Sequence, residues 1–196
     1  MIDIEKMAHS VMDIRVYALT MKEVLDWAEE AVGSEKPHMI ATANAEMIMT
    51  AQTDKELGHI LNHADMVVPD GAGVLWAGET LGTPFPERVT GADLSVELLK
   101  IAGKKGWKVY FLGGAPGVAK KAADCFMKDH GAFSLVGCHD GISMKRKKRK
   151  LLRISKRAVP TCFWSVSVYR SRRNGSFIIK KNWARCSLWE SAASLM

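Results

Sequence analysis

The spacing of apolar positions changes several times along the chain, and each change marks an element. Asp13 to Ala18 (D-I-R-V-Y-A) alternates apolar and polar, as a half-buried strand does. Thr20-x-x-Glu23 has the form of a capping box. Val24, Leu25, Ala28 and Ala31 then share one helical face, which predicts a helix through about Val32. Gly33-Ser34 stops it. His38 to Ala41 reads as an apolar strand running into T-A-N-A-E (42–46). A helix follows, turned near Thr53-Asp54 and continuing to about His63. Met66 to Val68 is a short buried strand ending at Pro69-Asp70-Gly71, with a helix from about Ala72 to about Leu81. After a loop with two prolines (82–88), Thr90-Gly91-Ala92-Asp93 opens a helix to about Ala102. Trp107 to Leu112 (W-K-V-Y-F-L) is a buried strand. Gly113 to Gly117 turns it into a helix through about Lys128, and Phe133 to Cys138 is a further strand. Residues 1–12 carry no clear period and are read as a short helix. Strands alternating with helices of roughly 10–15 residues indicate βαβ units, so an α/β fold with a mostly parallel sheet is expected.

Length and composition keep that reading and narrow it. A chain of 196 residues, 47% hydrophobic, is long enough for one domain with a sizeable core. No run reaches the roughly 18 apolar residues of a membrane span. The start, M-I-D-I-E-K, lacks the basic-then-apolar form of a secretory leader. Cys125, Cys138, Cys162 and Cys186 are widely spaced and match no zinc pattern, which favours a reduced, cytoplasmic chain. The net charge of +7 hides a break. Residues 1–143 hold 13 basic and 20 acidic side chains, a net of −7, whereas residues 144–196 hold 15 basic and one acidic, a net of +14.

Candidate chemistry gathers at the strand ends. Asp70 stands at the carboxyl end of a strand, where open α/β sheets bind ligands. On local sequence it reads equally as a turn former or helix cap. Three strand ends carry polar or glycine-rich turns: T-A-N-A-E, P-D-G-A-G and G-G-A-P-G. In a doubly wound sheet they lie on one edge. Gly113, Gly114 and Gly117 offer backbone N–H groups and a helix N-terminus suited to a diphosphate, though the same glycines would serve a plain tight turn. Arg88 can neutralise phosphate, or simply be an exposed arginine. The six histidines are scattered, and no His/Cys/carboxylate cluster suggests a metal.

Four motifs in order then carry a resemblance. T-A-N-A-E (42–46), A-D-x-V-V-P-D-G-x-G (64–73), E-R-V-T-G-A-D-L (87–94) and F-L-G-G-A-P-G (111–117) resemble the WecG/TagA/CpsF glycosyltransferases, family 26, over about residues 13–141. The resemblance implies a Rossmann-like sheet with helices on both faces. It implies inverting transfer of a sugar, N-acetylmannosamine in the TagA-like branch, from a UDP-sugar donor to an undecaprenyl-diphosphate-linked N-acetylglucosamine in teichoic acid or other cell-surface polysaccharide synthesis. No metal or other cofactor is expected, and the enzyme would sit peripherally at the inner face of the membrane. By the same resemblance Asp70 would be the general base. Thr42 and Asn44 would line the sugar pocket, Arg88 would contact phosphate, and Gly71, Gly113, Gly114 and Gly117 would complete the substrate site. The donor sugar and the oligomeric state stay open, a homo-oligomer included.

The pattern departs after Gly141, which divides the chain into a glycosyltransferase domain, 1–141, and a basic tail, 142–196. M-K-R-K-K-R-K (144–150) looks like a nuclear-localisation, nucleic-acid or anionic-lipid patch. A shifted reading frame from about Ile142 explains it better. If each codon takes the last base of its predecessor, lysine and AGR arginine codons become Glu, Lys or Gln. Residues 159–176 can then restore to A-D-V-L-L-V-G-L-G-V-P-K-Q-E-K-W-I, and 189–196 to G-V-G-G-x-F-D. Both resemble the family's next motifs in order. On this reading Ser171-Arg172 replace the family's active-site glutamine, the fold is incomplete at its C-terminus, and the chain is expected to be inactive. The exposed apolar face left by missing strands would favour aggregation. A competing class is an α/β domain with a genuine nucleic-acid-binding tail, which predicts steeply salt-dependent binding. Against it, the tail lacks helical periodicity. A Rossmann-like oxidoreductase is disfavoured by the lack of G-x-G-x-x-G with a downstream acid.

Overall fold

A computed structural model describes residues 4–34, 37–113, 115–139, 162–166 and 176–179. A 3-10 turn at Ile4–Met7 leads into β1 (Ala8–Val11), which pairs antiparallel with β2 (Ile14–Tyr17). The short helix expected over 1–12 is therefore confined to 4–7, and a strand follows it. The chain continues through α1 (Met21–Gly33), β3 (His38–Ala43), α2 (Ala45–Ala51), α3 (Lys55–His63), β4 (Met66–Pro69), α4 (Ala72–Thr80), α5 (Gly91–Lys105), β5 (Lys108–Gly113), α6 (Val118–His130) and β6 (Ser134–His139). β7 (Cys162–Val166) and β8 (Ser176–Ile179) complete the described elements.

The main sheet runs β4-β3-β8-β7-β5-β6. β3 is parallel to β4, and β5 to both β6 and β7, while β8 is antiparallel to β3 and to β7. Five strands thus point one way and β8 the other, which makes the sheet mostly parallel. The strand order reverses between β3 and β5. In such sheets the crevice at the carboxyl edge of that reversal is where ligands bind.

Side-chain alternation feeds two cores. Ile40, Met66, Val68, Val109 and Phe111 face one side and pack with Val24 and Ala28 of α1, Leu94 and Leu98 of α5 and Ala119 and Ala123 of α6. Ala41, Ala43 and Val67 face the other, with Met47 and Ile48 of α2, Leu57 and Leu61 of α3, Val74 of α4 and the β1–β2 hairpin. The sheet is therefore covered on both faces, as parallel sheets require.

Local sequence explains the helix starts. Both bonds of the Thr20–Glu23 capping box are present, and the Thr20 N–H and hydroxyl, each donating to Glu23 Oε2 at 2.8 Å, hold the Glu23 carboxyl below the usual carboxylate range. Asp54 accepts from the N–H groups of Glu56 and Leu57, which ends the turn between α2 and α3 and begins the second helix. β3 runs two residues past Ala41. Thr42 and Ala43 pair with Val68 and Pro69, so the first residues of T-A-N-A-E are strand.

Candidate functional site at the carboxyl edge of the sheet

Asp70 leaves the end of β4 in line with β3. Its N–H donates to the Ala43 carbonyl at 2.8 Å, which continues the ladder by one rung. Its side chain falls on the same face as Met66 and Val68 by alternation, the face carrying α1 and α5. There Oδ2 accepts from the N–H of Gly91, the first residue of α5, at 3.1 Å. Thr42 reaches the same place from β3 and is buried to 1% exposure. A Cβ on Gly91 would lie 3.1 Å from Thr42 Oγ1 and 3.6 Å from Asp70 Oδ2, so both oxygens border one small space that a glycine keeps open. The structure brings Asp70 and Thr42 together around a residue that sequence reasoning used only as a helix start. The signal was present as Thr90-Gly91 inside E-R-V-T-G-A-D-L, but Gly91 lies 21 positions from Asp70 and nothing local links them.

Asn44 and Gly71 form the other side of this mouth. Asn44 caps α2, its Oδ1 accepting from Met47 N–H at 2.8 Å. Gly71 precedes α4 with φ +115, a conformation glycine adopts readily and other residues do not, and a Cβ there would lie 3.9 Å from that of Asn44. Arg88 is exposed and pairs with no described residue. Its neighbours fix its backbone beside the site. Val89 N–H donates to the carbonyl of Pro69, the residue before Asp70, at 3.0 Å, and Glu87 accepts from Met21 N–H at 2.8 Å.

Gly113 (φ +136) and Gly117 (φ +85) make the turn from β5 into α6. They lie on the same sheet edge as Asp70, across the reversal of strand order. Three strand spacings separate β3 from β5, about 14 Å. They flank the crevice and do not touch the Asp70 group. Gly114 falls outside the described residues, as do 144–150, Ser171 and Arg172.

Helix capping divides these elements. α1, α2, α3 and α5 each begin with a side-chain cap, from Thr20, Asn44, Asp54 and Thr90. α4 and α6 begin at Gly71 and Gly117 with none. Val74 N–H donates to the Gly71 carbonyl and Val118 N–H to that of Ala115, and the other N–H groups of each first turn suit an anion.

Polar groups elsewhere have structural work. His38 Nδ1 lies 3.2 Å from Asp65 Oδ1 and its Nε2 2.8 Å from Ser34 Oγ, while Asp65 Oδ2 accepts from Met39 N–H at 2.8 Å. This set ties the end of α1 and the start of β3 to the start of β4, at the amino edge. A cleft of about 360 Å³ lined by Lys100, Lys104 and His130 lies at the ends of α5 and α6 away from Asp70. Among the described residues no group of three or more His, Cys, Asp or Glu could hold a metal ion. Nor is any described helix long and apolar enough to cross a membrane.

A reversed, doubly covered α/β sheet with one carboxylate and two uncapped helix starts on its carboxyl edge is a ligand-binding scaffold of the Rossmann-like class. The chain belongs to the glycosyl transferase WecG/TagA/CpsF family, whose model matches residues 9–168. That span passes Gly141 and takes in β7. A Bacillus spizizenii protein named N-acetylglucosaminyldiphosphoundecaprenol N-acetyl-beta-D-mannosaminyltransferase is 32% identical over 106 residues. The alignment covers 54% of this chain and 41% of that relative, so the matched part spans less than half the relative's length.

Proposed function

We propose that the Asp70 site activates the acceptor of an inverting sugar transfer. The donor is a UDP-sugar, N-acetylmannosamine or a related sugar, and the acceptor is N-acetylglucosamine linked through diphosphate to undecaprenol. The observation that carries this is the Asp70 carboxylate at the carboxyl edge, oriented by the Gly91 N–H beside buried Thr42 of β3, the strand that borders the reversal of strand order. In the step, the acceptor hydroxyl oxygen attacks the anomeric carbon and its proton passes to Asp70. The bond from that carbon to the UDP oxygen breaks, and UDP leaves with the electron pair. One positioned base is what such a displacement requires. The leaving diphosphate needs donors and positive charge, which the N-terminus of α4 and the Arg88 guanidinium supply beside Asp70, while the turn into α6 across the crevice takes the nucleotide end of the donor. Thr42 and Asn44 border the sugar. No step is assigned to a metal. The lipid-linked acceptor places the working enzyme at the inner face of the membrane.

We further propose that the frame shifts near Ile142 and that the 196-residue chain is inactive for want of the residues coded in the other frame. The restored apolar run D-V-L-L-V-G overlaps the residues of β7, which supports a strand being intended there. The test is a transfer assay with UDP-N-acetylmannosamine and a prenyl-diphosphate-linked N-acetylglucosamine, run on the 196-residue chain and on a frame-restored protein, with and without EDTA. Product only from the restored protein, unchanged by EDTA, is the expected result. A restored protein that binds neither substrate would overturn the function, and equal turnover by both proteins would overturn the frameshift.

A further inference from the structure

Two exposed helix faces run away from the Asp70 mouth, and each carries a large apolar side chain beside a carboxylate. α2 begins at Ala45, directly after Asn44, and α4 at Ala72, directly after Gly71. The two starts nearly touch, since a Cβ on Gly73 would lie 3.0 Å from that of Ala45. One turn further on, about 6 Å along each axis, stand Met49 and Trp76. Met49 is 58% exposed and Trp76 67%. Beyond Met49 the strip reaches Met12, 47% exposed, whose carbonyl accepts from Gln52 Nε2 at the end of α2. Of the five large apolar side chains exposed among the described residues, these are three.

Exposed apolar side chains scattered singly need no explanation, but a run leading out of a site does. Ala45, Met49, Ala72 and Trp76 carry no charge, and the exposed charges on the two helices are Glu46 and Glu79, three residues from Met49 and Trp76 and so at the borders of the strip. The two helices offer no cation along the strip, so a chain lying there is held by its hydrocarbon and not by its charge. The indole of Trp76 offers a large apolar face with one polar N–H, the residue type that serves where hydrocarbon meets water.

We propose that this strip between α2 and α4 seats the isoprenoid chain of the acceptor, in the segment next to its diphosphate. The inference rests on the function proposed above. It adds that the acceptor is recognised partly by its lipid, and that the lipid leaves the site across Ala45, Gly73, Met49 and Trp76. The acceptor sugar lies at the mouth by Asp70, and the chain leaves past the close approach of Ala45 and Gly73 towards Met49 and Trp76.

Binding to the full 196-residue chain tests this, by calorimetry, with N-acetylglucosaminyl diphosphate carrying either a geranylgeranyl or a methyl group. The geranylgeranyl ligand should bind at least about tenfold tighter. Trp76→Gln combined with Met49→Gln should remove about tenfold from that ligand and leave the methyl ligand within about twofold. Trp76→Phe should keep most of the gain, because an apolar face remains. Equal affinity for the two ligands, or a parallel loss for both in the double variant, would overturn the inference. So would a Trp76-dependent self-association, or Trp76-dependent binding to phosphatidylcholine vesicles, without a prenyl-dependent gain. UDP-sugar and methyl-ligand binding report on the underlying function separately. If both bind and the prenyl chain adds nothing, only the lipid exit fails. If neither binds, in the frame-restored protein as well, while the prenyl gain still depends on Trp76, it is the transferase reading that fails.

Discussion

The turn from β4 into α4 and the turn from β5 into α6 are built alike and differ in what surrounds them. Each ends a buried parallel strand at the carboxyl edge, uses a positive-φ glycine and opens a helix that no side chain caps. Around the first stand Asp70, buried Thr42, the Asn44 cap and the Gly91 N–H. Around the second stand Gly113, Ala115, Pro116 and Gly117, with His139 at the end of β6 beside Leu112 and no described carboxylate in the turn. The comparison teaches a division of work. A turn of glycines can hold an anion by its N–H groups, but moving a proton needs a side chain held in one orientation, and that costs neighbours. Among the described residues, a carboxylate held by a neighbouring N–H at the carboxyl edge stands after β4, beside β3.

The largest test of that division is Asp70→Asn in a frame-restored protein. Transfer should fall by about 10²–10⁴-fold, with thermal unfolding unchanged, because only the proton acceptor is lost. Retained turnover would move the chemistry away from the β4 turn. Gly91→Ala comes next. Its Cβ would crowd Thr42 Oγ1 at 3.1 Å, so transfer should drop about tenfold or more and stability by about 1–3 kcal/mol, read by denaturant titration. Gly78→Ala is its control, since a Cβ there would meet Phe85 at 2.6 Å and the Thr83 carbonyl at 2.8 Å. It should cost stability and spare the turnover of whatever protein stays folded.

Gly117→Ala probes the other turn. A non-glycine residue at φ +85 should cost about 1–2 kcal/mol, and the Michaelis constant for the UDP-sugar should rise while kcat stays near normal. A fall in kcat alone would show that the two turns do not divide the work. The smallest effect concerns Tyr110 on β5. Burial, with the nearby Cys138 adding to it, pushes its pKa up to about 12. The folded state therefore holds that proton more tightly than the unfolded state, and the resulting stability is complete below about pH 10 and lost as pH rises towards 12. Tyr110→Phe should flatten that alkaline slope in pH-dependent unfolding.

What could be read from the sequence was local. The Thr20–Glu23 box, the turn at Thr53-Asp54, the Thr90 start and the Gly33-Ser34 stop are signals within four residues, and each is found where the spacing predicts it, whereas the helix expected to end at about Ala102 runs on to Lys105. β1 was not legible for the opposite reason. It is joined to β2 by Met12 and Asp13, with φ of 49° and 62°, a two-residue hairpin turn that glycine or asparagine usually announces. Here partners far along the chain hold it. Gln52 Nε2 donates to the Met12 carbonyl and Asn62 Nδ2 to that of Asp13, at 2.7 and 2.9 Å. The site shows the same split. Asp70, Thr42 and Asn44 stand out as residues at strand ends, whereas the Gly91 contact and the distance between the two glycine turns depend on strand order, which no local pattern encodes.

The strand order also bears on how the molecule comes together during synthesis. β3 with β4, and β5 with β6, can each pair from chain already made by residue 139. The join between the halves waits for β7 and β8, at 162–166 and 176–179, which emerge after all of these. Until then β3 and β5 each present an open edge towards the gap. On the ribosome, two half-sheets would stand side by side with unpaired strands, the state in which edges capture one another between neighbouring chains. Any change that delays or alters the 162–179 segment therefore acts first on the yield of folded protein, before catalysis can be measured at all.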